Sequence, residues 1–278
     1  MKLNWFESIL YGLFSGLTDI LPVCAQAHKA LMLKFFGIKG NMELLDLLIH
    51  LAIAAALYLN CRNHLLRMAR ANALSRVPKK KRKRPLDMRS MMDMSLLKTM
   101  LVPVILGLLL HKQGAKLQGN LVLLSVFVLI NGIILYIPQY FPSGNKDSRT
   151  LSRVEGLLMG LGGAVSVVPG ISAMGVATSI GSLCGVDRTY CLNMTLMMNL
   201  FLTIGLIIYD VMGILDAGIG TISIFILLRY IMTTAIAFGS ATIGIRLMRQ
   251  FSESNGYSIF GFYCFGQALF TFILNLMA

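Results

Sequence analysis

Charged residues are scarce in this sequence. Lysine, arginine, aspartate and glutamate together make up 13% of its 278 residues, whereas an ordinary soluble domain carries about 25%. Hydrophobic residues account for 56% of the chain, and the mean hydropathy is +0.73. This composition excludes an ordinary soluble enzyme. Apolar runs of about 20 residues are long enough to cross a bilayer, so the sequence predicts a single integral membrane domain over 1–278.

Cysteine and histidine are also few, and neither follows a ligand pattern. The five cysteines include no C-x-x-C pair, and the four histidines have no metal-type spacing with them or with each other. Disulfide frameworks and zinc sites are recognised by regularly spaced ligands. The sequence therefore indicates neither kind of site.

Acidic residues are outnumbered, 12 against 25 basic ones, and the basic residues are not spread evenly. Twelve of the 25 lie between Cys61 and Lys98. The run from Lys79 to Arg84 resembles a nuclear import signal or a nucleic-acid patch. It lies between two apolar segments, however, where the tendency of positive loops to stay in the cytoplasm explains it. We therefore expect a basic cytoplasmic loop over 61–98, bilayer lipids as neighbours and no nucleic-acid partner.

Six continuous apolar segments are candidate membrane spans. A broad apolar run with few charges is what a spanning helix requires, because the bilayer core cannot solvate charge. The predicted spans are 44–60, 96–110, 119–137, 191–212, 219–248 and 257–277.

Two further apolar stretches, 8–38 and 151–185, are interrupted near their middles. Pro22 breaks the first stretch, and Pro169 with Gly170 breaks the second. Proline removes a helix hydrogen bond and clashes with the preceding turn. Each stretch therefore predicts two short helices that meet at a polar tip, as in a re-entrant hairpin.

The two interrupted stretches superpose with a constant offset. Pro169 lies 147 residues after Pro22, and a glycine and a leucine follow the same shift. Halves of about 1–140 and 148–278 would each hold one hairpin and three spans, and an odd number of crossings inverts the second half. The predicted fold is an all-α polytopic membrane protein with six transmembrane spans and two re-entrant helical hairpins in an inverted repeat.

The predicted tips suit an anion. Non-helical backbone at membrane depth leaves unpaired N–H and C=O groups, which are tolerated where protein covers them or where they line a wet cavity. Helix N-termini at two facing tips present free N–H groups and the positive end of the helix dipole. The sequence therefore predicts a buried site for an anionic ligand such as a phosphate.

Two motifs coincide with these tips. Ser15-Gly-Leu-Thr-Asp-Ile-Leu-Pro-Val-Cys-Ala-Gln-Ala-His28 resembles the pattern E-G-L-T-E-F-L-P-V-S-S-x-x-H, and Pro169-Gly-Ile-Ser-Ala-Met-Gly-Val-Ala-Thr178 is similar to P-G-x-S-R-S-G-A-T. Both patterns are signatures of the undecaprenyl pyrophosphate phosphatase family of the bacitracin-resistance type. Their order and separation agree with that family.

Two shorter segments extend the resemblance over nearly the whole chain. Val102-Pro-Val-Ile-Leu-Gly-Leu-Leu-Leu-His111 resembles the family segment I-P-A-x-x-L-G-L-L-x, and Gly185-Val-Asp-Arg188 resembles G-x-S-R. The resemblance implies a bacterial inner-membrane protein whose pocket opens to the periplasm. It also implies hydrolysis of the terminal phosphate of undecaprenyl pyrophosphate for recycling of the cell-wall lipid carrier, with a divalent cation, Mg or Ca. The implied partner is the polyprenyl pyrophosphate lipid, and a homodimer is left open.

Several family positions carry other residues in this chain. The two glutamates of the first motif are Ser15 and Asp19, and the arginine of the second is Ala173. Arginine binds phosphate bidentately, and hard cations prefer carboxylate oxygens. These replacements leave a second interpretation open, in which the chain is a catalytically degenerate relative that binds or translocates polyprenyl phosphates.

Three polar residues remain at the tips as catalytic candidates. Asp19 would hold the cation or a proton, or would only cap a helix. His28 would transfer protons, or would be a hydrogen-bonded core histidine. Ser172 would hold phosphate through its hydroxyl and nearby N–H groups, or would cap the next helix. The resemblance further implies a group of substrate-binding residues: Thr18, Cys24, Gly170, Gly175 and Thr178.

Most of the other polar candidates have two possible roles. Cys24 would be a nucleophile or a small packing residue. Asp46 and His50 are four residues apart on one helix face, so they would line the cavity or satisfy each other. Arg229 would replace the missing arginine or extend to the membrane surface, and Arg188 is a candidate from its motif alone.

Overall fold

A computed structural model describes residues 3–38, 42–82, 84–117, 119–218, 223–253 and 257–276. Within these ranges the chain is helical and contains no β-strand, apart from an isolated bridge between Lys146 and Val186. The helices of the described ranges are α1 (Trp5–Ile20), α2 (Ala25–Phe35), α3 (Glu43–Ser75), α4 (Met88–Leu109), α5 (His111–Ala115), α6 (Leu121–Tyr136), α7 (Arg153–Val165), α8 (Ala173–Leu183), α9 (Arg188–Ala217), α10 (Ile224–Glu253) and α11 (Ser258–Leu276).

Six of these helices are long and apolar enough to cross a membrane, namely α3, α4, α6 with the 3₁₀ turn that follows it, α9, α10 and α11. They coincide with the six predicted spans, so the prediction of an all-α multi-pass membrane protein is confirmed. The ends differ most beside the basic loop. There α3 continues to Ser75 and α4 begins at Met88, so both helices extend into the predicted 61–98 loop.

Two pairs of shorter helices correspond to the interrupted stretches. The helices α1 and α2 have 16 and 11 residues, and α7 and α8 have 13 and 11, against about 20 for a spanning helix. The four-residue segment 21–24 separates α1 from α2, and 166–172 separates α7 from α8. The short helices are therefore where the sequence predicts them, whereas their re-entrant position in a bilayer stays a prediction.

The two pairs begin in the same way. Asn4 forms a capping box with Glu7 at the start of α1, and Ser152 does so with Glu155 at the start of α7. In each box the cap and the acidic side chain bond reciprocally to backbone N–H groups that the helix leaves free. At α7, Lys146 also donates a hydrogen bond of 2.6 Å to Glu155 and holds the pKa of that carboxyl down at about 2.

Close packing between helices centres the two pairs in the bundle. The helix α1 packs on α10, and α7 packs on α4. A Cβ atom at Gly16 would collide with the carbonyl of Ala237, and one at Gly163 would collide with the side chain of Val104. Small residues allow helix backbones to approach this closely in membranes. The longer helices α3 and α9 pack on each other, as do α6 and α11, and they enclose the tips.

Candidate functional site

The two interrupted stretches meet inside the bundle. The backbone N–H of Gly170 donates to Cys24 Sγ at 3.0 Å. Asn131 of α6 bridges both tips, because its Oδ1 accepts from the N–H of Ser172 at 2.9 Å and its Nδ2 donates to the carbonyl of Pro22 at 3.2 Å. The buried Asn131 thus pairs backbone groups that the two helix breaks leave free.

A cavity of about 1000 Å³, its open mouth included, lies beside this junction. Its walls come from both interrupted stretches, from the beginning of α3, from α5 and from the segment 199–210 of α9. The walls combine apolar side chains with a group of polar ones, which includes Asp19, Lys29, Asp46, His50, Ser172 and Asp210. The cavity therefore has both the apolar lining and the convergent polar groups that are typical of a ligand site.

Asp19 ends α1 at this cavity. Its carboxylate Oδ2 is buried and has no hydrogen-bond partner among the described residues. Asn199 of α9 donates to the backbone carbonyl of Asp19 at 3.2 Å and so ties the end of α1 to α9. A buried carboxylate oxygen without a partner is costly, so this oxygen of a residue that lines the cavity is a candidate to hold a proton or a cation.

Two pairs of a basic and an acidic side chain, each joined by a hydrogen bond, line the cavity. Lys29 of α2 forms an ion pair with Asp46 of α3, and the hydroxyl of Tyr11 donates to the other oxygen of Asp46 at 2.8 Å. One helical turn further along α3, His50 Nδ1 lies 2.5 Å from Asp210 of α9. Asp46 and His50 thus both line the cavity, as one reading of the sequence predicted, but each is paired with a residue of another helix.

Ser172 caps a helix, as one of its two predicted roles requires, and it also lines the cavity. Its hydroxyl accepts from the N–H of Gly175 at 3.1 Å and caps α8, and the residue also lines the cavity together with Ala173. The first N–H groups of α8 therefore begin at the cavity wall. This is the arrangement of backbone donors that suits an anion at a helix N-terminus.

The predicted substrate-binding residues divide into two groups. Thr18 and Cys24 line the cavity, although the Thr18 hydroxyl is donated to the carbonyl of Phe14 at 2.7 Å. Gly170, Gly175 and Thr178 are not part of its wall. Thr178 donates within α8, to the carbonyl of Met174 at 2.7 Å, and so has the surroundings of a packing residue.

The structure does not bring His28 into the cavity wall. The buried ring stacks between Phe14 and Tyr263. Its Nδ1 lies 2.7 Å from the carbonyl of Cys24, and its Nε2 lies 2.6 Å from the hydroxyl of Tyr263. These contacts are those of the alternative reading, a hydrogen-bonded core histidine.

The two arginine candidates also lie outside this cavity. Arg229, near the beginning of α10, donates to the carbonyl of Leu3 and to that of Phe225. Arg188 begins α9, and the cavity residue Asp210 lies 22 positions later, which corresponds to about 33 Å along a helix at 1.5 Å per residue. Neither arginine therefore replaces the family arginine, whose position is occupied by Ala173 in this chain.

Several polar residues that line the cavity or the junction of the two tips were not predicted. Lys29, Asp210, Asn131 and Asn199 are polar residues in helices whose other side chains are mostly apolar. An ionisable residue within a membrane span is by default a functional candidate, and this rule applied to α9 would have identified Asp210. The contacts of Asn131 and Asn199 depend on which helices become neighbours, which a single sequence does not indicate.

A divalent cation would find one protein ligand here. Among the described residues, no group of three or more His, Cys, Asp or Glu side chains is arranged to hold a metal. Asp46 and Asp210 are engaged by Lys29 and His50, which leaves the unpartnered oxygen of Asp19. Magnesium is commonly held by one or two carboxylates together with substrate phosphates and water, so Asp19 fits such an ion when a phosphate is present.

The sequence profile of the family described as bacitracin resistance protein BacA matches residues 8–270. Relatives named undecaprenyl-diphosphatase include proteins of Methanobrevibacter smithii, 26% identical over 96% of both chains, and of Thermosipho melanesiensis, 26% identical over 96% of this chain and 98% of the relative. A third, from Carboxydothermus hydrogenoformans, is 23% identical over 94% of both chains.

Proposed function

We propose, since the chain belongs to the family of the bacitracin resistance protein BacA, that it hydrolyses the terminal phosphate of a polyprenyl pyrophosphate of the undecaprenyl type. The relatives named undecaprenyl-diphosphatase match it over nearly their whole length. The observation that carries the proposal is the cavity at the junction of the two tips, which is lined by Asp19, a residue with a buried carboxylate oxygen that has no partner among the described residues.

The reaction breaks the P–O bond between the terminal phosphorus and the bridging oxygen. Water supplies the oxygen that the terminal phosphorus gains, the bridging oxygen leaves with the polyprenyl monophosphate, and a proton of the water is released. In-line phosphoryl transfer of this kind depends mainly on positioning and on neutralising the charge of the phosphate oxygens. The site must therefore supply donors for those oxygens and an acceptor for the proton.

Groups on both tips fit these roles. The N–H groups at the beginning of α8, with the Ser172 hydroxyl, would bind the terminal phosphate, since Ser172 and Ala173 line the cavity. Asp19, across the junction, can accept the water proton or hold a divalent cation. Such a cation would neutralise phosphate charge when bound. The apolar wall, which includes Ile49, Ile53 and Leu202, suits the first isoprene units of the lipid.

Release of inorganic phosphate tests the function. Purified protein in detergent, supplied with undecaprenyl pyrophosphate and Mg²⁺ or Ca²⁺, is expected to release phosphate at a rate proportional to the amount of protein. Binding of the lipid without phosphate release, together with its redistribution in liposomes, would contradict the proposal and support a degenerate lipid-binding relative. A homodimer stays a prediction, which a light-scattering mass of twice the 30.6 kDa chain would support.

We further propose that the protein lies in the inner, or plasma, membrane of a bacterium with its basic loop in the cytoplasm. Asp46 and the basic segment that follows Ser75 are at opposite ends of α3, which has 33 residues and is therefore about 50 Å long. Because cytoplasmic loops carry excess lysine and arginine, the cavity would open on the periplasmic side. This is the side on which a released lipid carrier of the cell wall would be found.

Cysteine labelling tests this orientation. With the native cysteines replaced, Lys80→Cys is expected to react with a membrane-impermeant maleimide only after the cells are opened. Gln113→Cys, on α5 near the cavity, is expected to react in intact cells, because both side chains are exposed but lie at opposite ends of the bundle. Labelling of position 80 in intact cells would overturn the orientation.

The inverted repeat remains part of the proposal. In an inverted repeat, α7 corresponds to α1 and α10 corresponds to α4. The contact of α1 with α10 is then equivalent to the contact of α7 with α4. The pairings of α3 with α9 and of α6 with α11 each join one helix to its own counterpart. A two-fold axis in the membrane plane, as in inverted repeats of transporters, explains both relations.

Restoring two family residues should raise the activity. Ser15 and Ala173 both line the cavity, on α1 and α8 respectively. We expect the double variant Ser15→Glu with Ala173→Arg to hydrolyse faster than the product of the two single effects predicts, because the new carboxylate and guanidinium would act on one phosphate. Steady-state phosphate release by the four proteins measures this coupling. A double variant no faster than the better single one would contradict it.

A further inference from the structure

The cations available to a phosphate in this cavity are few. Among its described wall residues, the basic side chains are Lys29, His50 and His111, and none is an arginine. We infer that Lys29 and His50 bind the terminal phosphate and that Asp46 and Asp210 position them. The inference rests on the proposed function, because it assigns the charge-neutralising groups of that same site.

Lys29 is held so that part of its ammonium group stays available. Asp46 accepts from Lys29 through one carboxylate oxygen and from the Tyr11 hydroxyl through the other. An ammonium group has three donors, and this ion pair uses one of them. The Lys29 side chain is 33% exposed and that of Asp46 only 12%, and both residues line the cavity, so the ammonium group remains accessible there.

His50 is arranged in the same manner. Its Nδ1 is bonded to Asp210 at 2.5 Å, with the imidazole 22% exposed and the carboxylate 15%. A carboxylate at Nδ1 fixes the orientation of the ring, and an imidazolium in this pair presents its other nitrogen, Nε2, as a donor. No described residue bonds to Nε2 of His50. This nitrogen is thus a second charged donor for a phosphate oxygen.

The charge balance of the cavity requires both cations. Asp19, Asp46 and Asp210 line the cavity together with His50, so three carboxylates surround the space where a pyrophosphate would bind. Pairing with Lys29 and His50 neutralises two of them. His111 is the weaker candidate, because its ring is packed against Tyr209 at a centroid separation of 5.0 Å. Without Lys29 and His50 the phosphate would meet net negative charge.

Two substitutions in the full-length protein test the inference. Lys29→Met and His50→Gln are each expected to lower kcat/KM for phosphate release by about 10²-fold, the effect of removing one preorganised donor. The same variants should lose binding of inorganic pyrophosphate, measured by equilibrium dialysis of the detergent-solubilised protein in a chelator. Lys29→Arg keeps the charge and should retain binding, which separates loss of charge from misfolding.

Matched controls exist on the same helices. Lys34→Met removes an exposed lysine of α2, and His64→Gln removes the histidine that pairs with Asp93 at 3.0 Å near the other end of α3. Neither lines this cavity, and both variants should keep wild-type hydrolysis and pyrophosphate binding.

Asp210 has its own test as a positioning residue. If it acts through His50, then Asp210→Asn should weaken pyrophosphate binding, Asp210→Glu should restore part of it, and Asp210→Asn should add no further loss to His50→Gln. An additive loss would indicate a separate structural role and would overturn this assignment.

The outcomes separate this inference from the proposed function. If wild type binds pyrophosphate through Lys29 and His50 but releases no phosphate from the lipid, the inference stands and the hydrolase proposal fails. If wild type hydrolyses the lipid while Lys29→Met and His50→Gln keep its rate and its pyrophosphate affinity, the inference is overturned and the hydrolase proposal stands. Failure of wild type to bind pyrophosphate at all would overturn the inference as well.

Discussion

Asp19→Asn is expected to lower the rate of phosphate release by about 10²- to 10⁴-fold, the range for losing a proton-transferring group. The substitution keeps the size of the side chain but removes its charge, and with it the unpartnered carboxylate oxygen in the cavity. Asp19→Glu retains a carboxylate and should retain most of the activity. Initial rates at saturating lipid, with thermal stability measured in parallel, check both expectations.

His28→Gln is the matched comparison. The sequence motif predicts a catalytic His28, whereas the ring is buried between Phe14 and Tyr263 and is absent from the cavity wall. We therefore expect its substitution to lower thermal stability while the rate per folded molecule stays near that of wild type. A large fall in the rate of folded His28→Gln, with little effect of Asp19→Asn, would contradict this assignment of roles.

Asn131→Leu is expected to disrupt the junction of the two tips. It would leave the N–H of Ser172 and the carbonyl of Pro22 without their present partner. An unsatisfied buried polar group costs roughly 1–3 kcal/mol, so the loss of both bonds should cost about 2–6 kcal/mol of stability. At about 2–4 °C per kcal/mol, the thermal unfolding midpoint in detergent should fall by roughly 5 °C or more, and activity should fall with it.

Ser125→Ala on the same helix is the control. Its hydroxyl donates to the carbonyl of Val122, within α6, and does not reach either tip. We expect this variant to unfold within about 1–2 °C of wild type, as for a substitution that leaves no buried group unpaired. An unfolding midpoint of Asn131→Leu equal to that of Ser125→Ala would indicate that the tips do not depend on the asparagine.

The fold was predictable because its signals are local. A long apolar run is enough to predict a spanning helix. Pro22 with the polar Thr18 and Asp19, or Pro169 with Gly170, predicts a break, whereas Pro103 alone lies inside the continuous helix α4. Helix ends were less predictable. Arg62, Arg67 and Arg70 suggested a loop, but α3 continues through them to Ser75, since arginine is a good helix former outside the apolar core.

The site was only partly predictable, because it depends on contacts between distant segments. The motifs identified Asp19, Cys24 and Ser172, and all three line the cavity. They could not reveal that Lys29 would meet Asp46 or that His50 would meet Asp210, 160 positions away. The motif indicated that His28 lies near the first tip, but it did not indicate the direction of the side chain. In the structure this side chain points from α2 toward α11.

The reaction products test the central claim most directly. In ³¹P NMR, incubation of undecaprenyl pyrophosphate with the purified protein should replace the two diphosphate signals by one polyprenyl monophosphate signal and one inorganic phosphate signal of equal intensity. The Asp19→Asn protein should leave the diphosphate signals unchanged over the same time. Unchanged diphosphate signals with wild-type protein, or inorganic pyrophosphate as the product, would contradict hydrolysis of the terminal phosphate in this cavity.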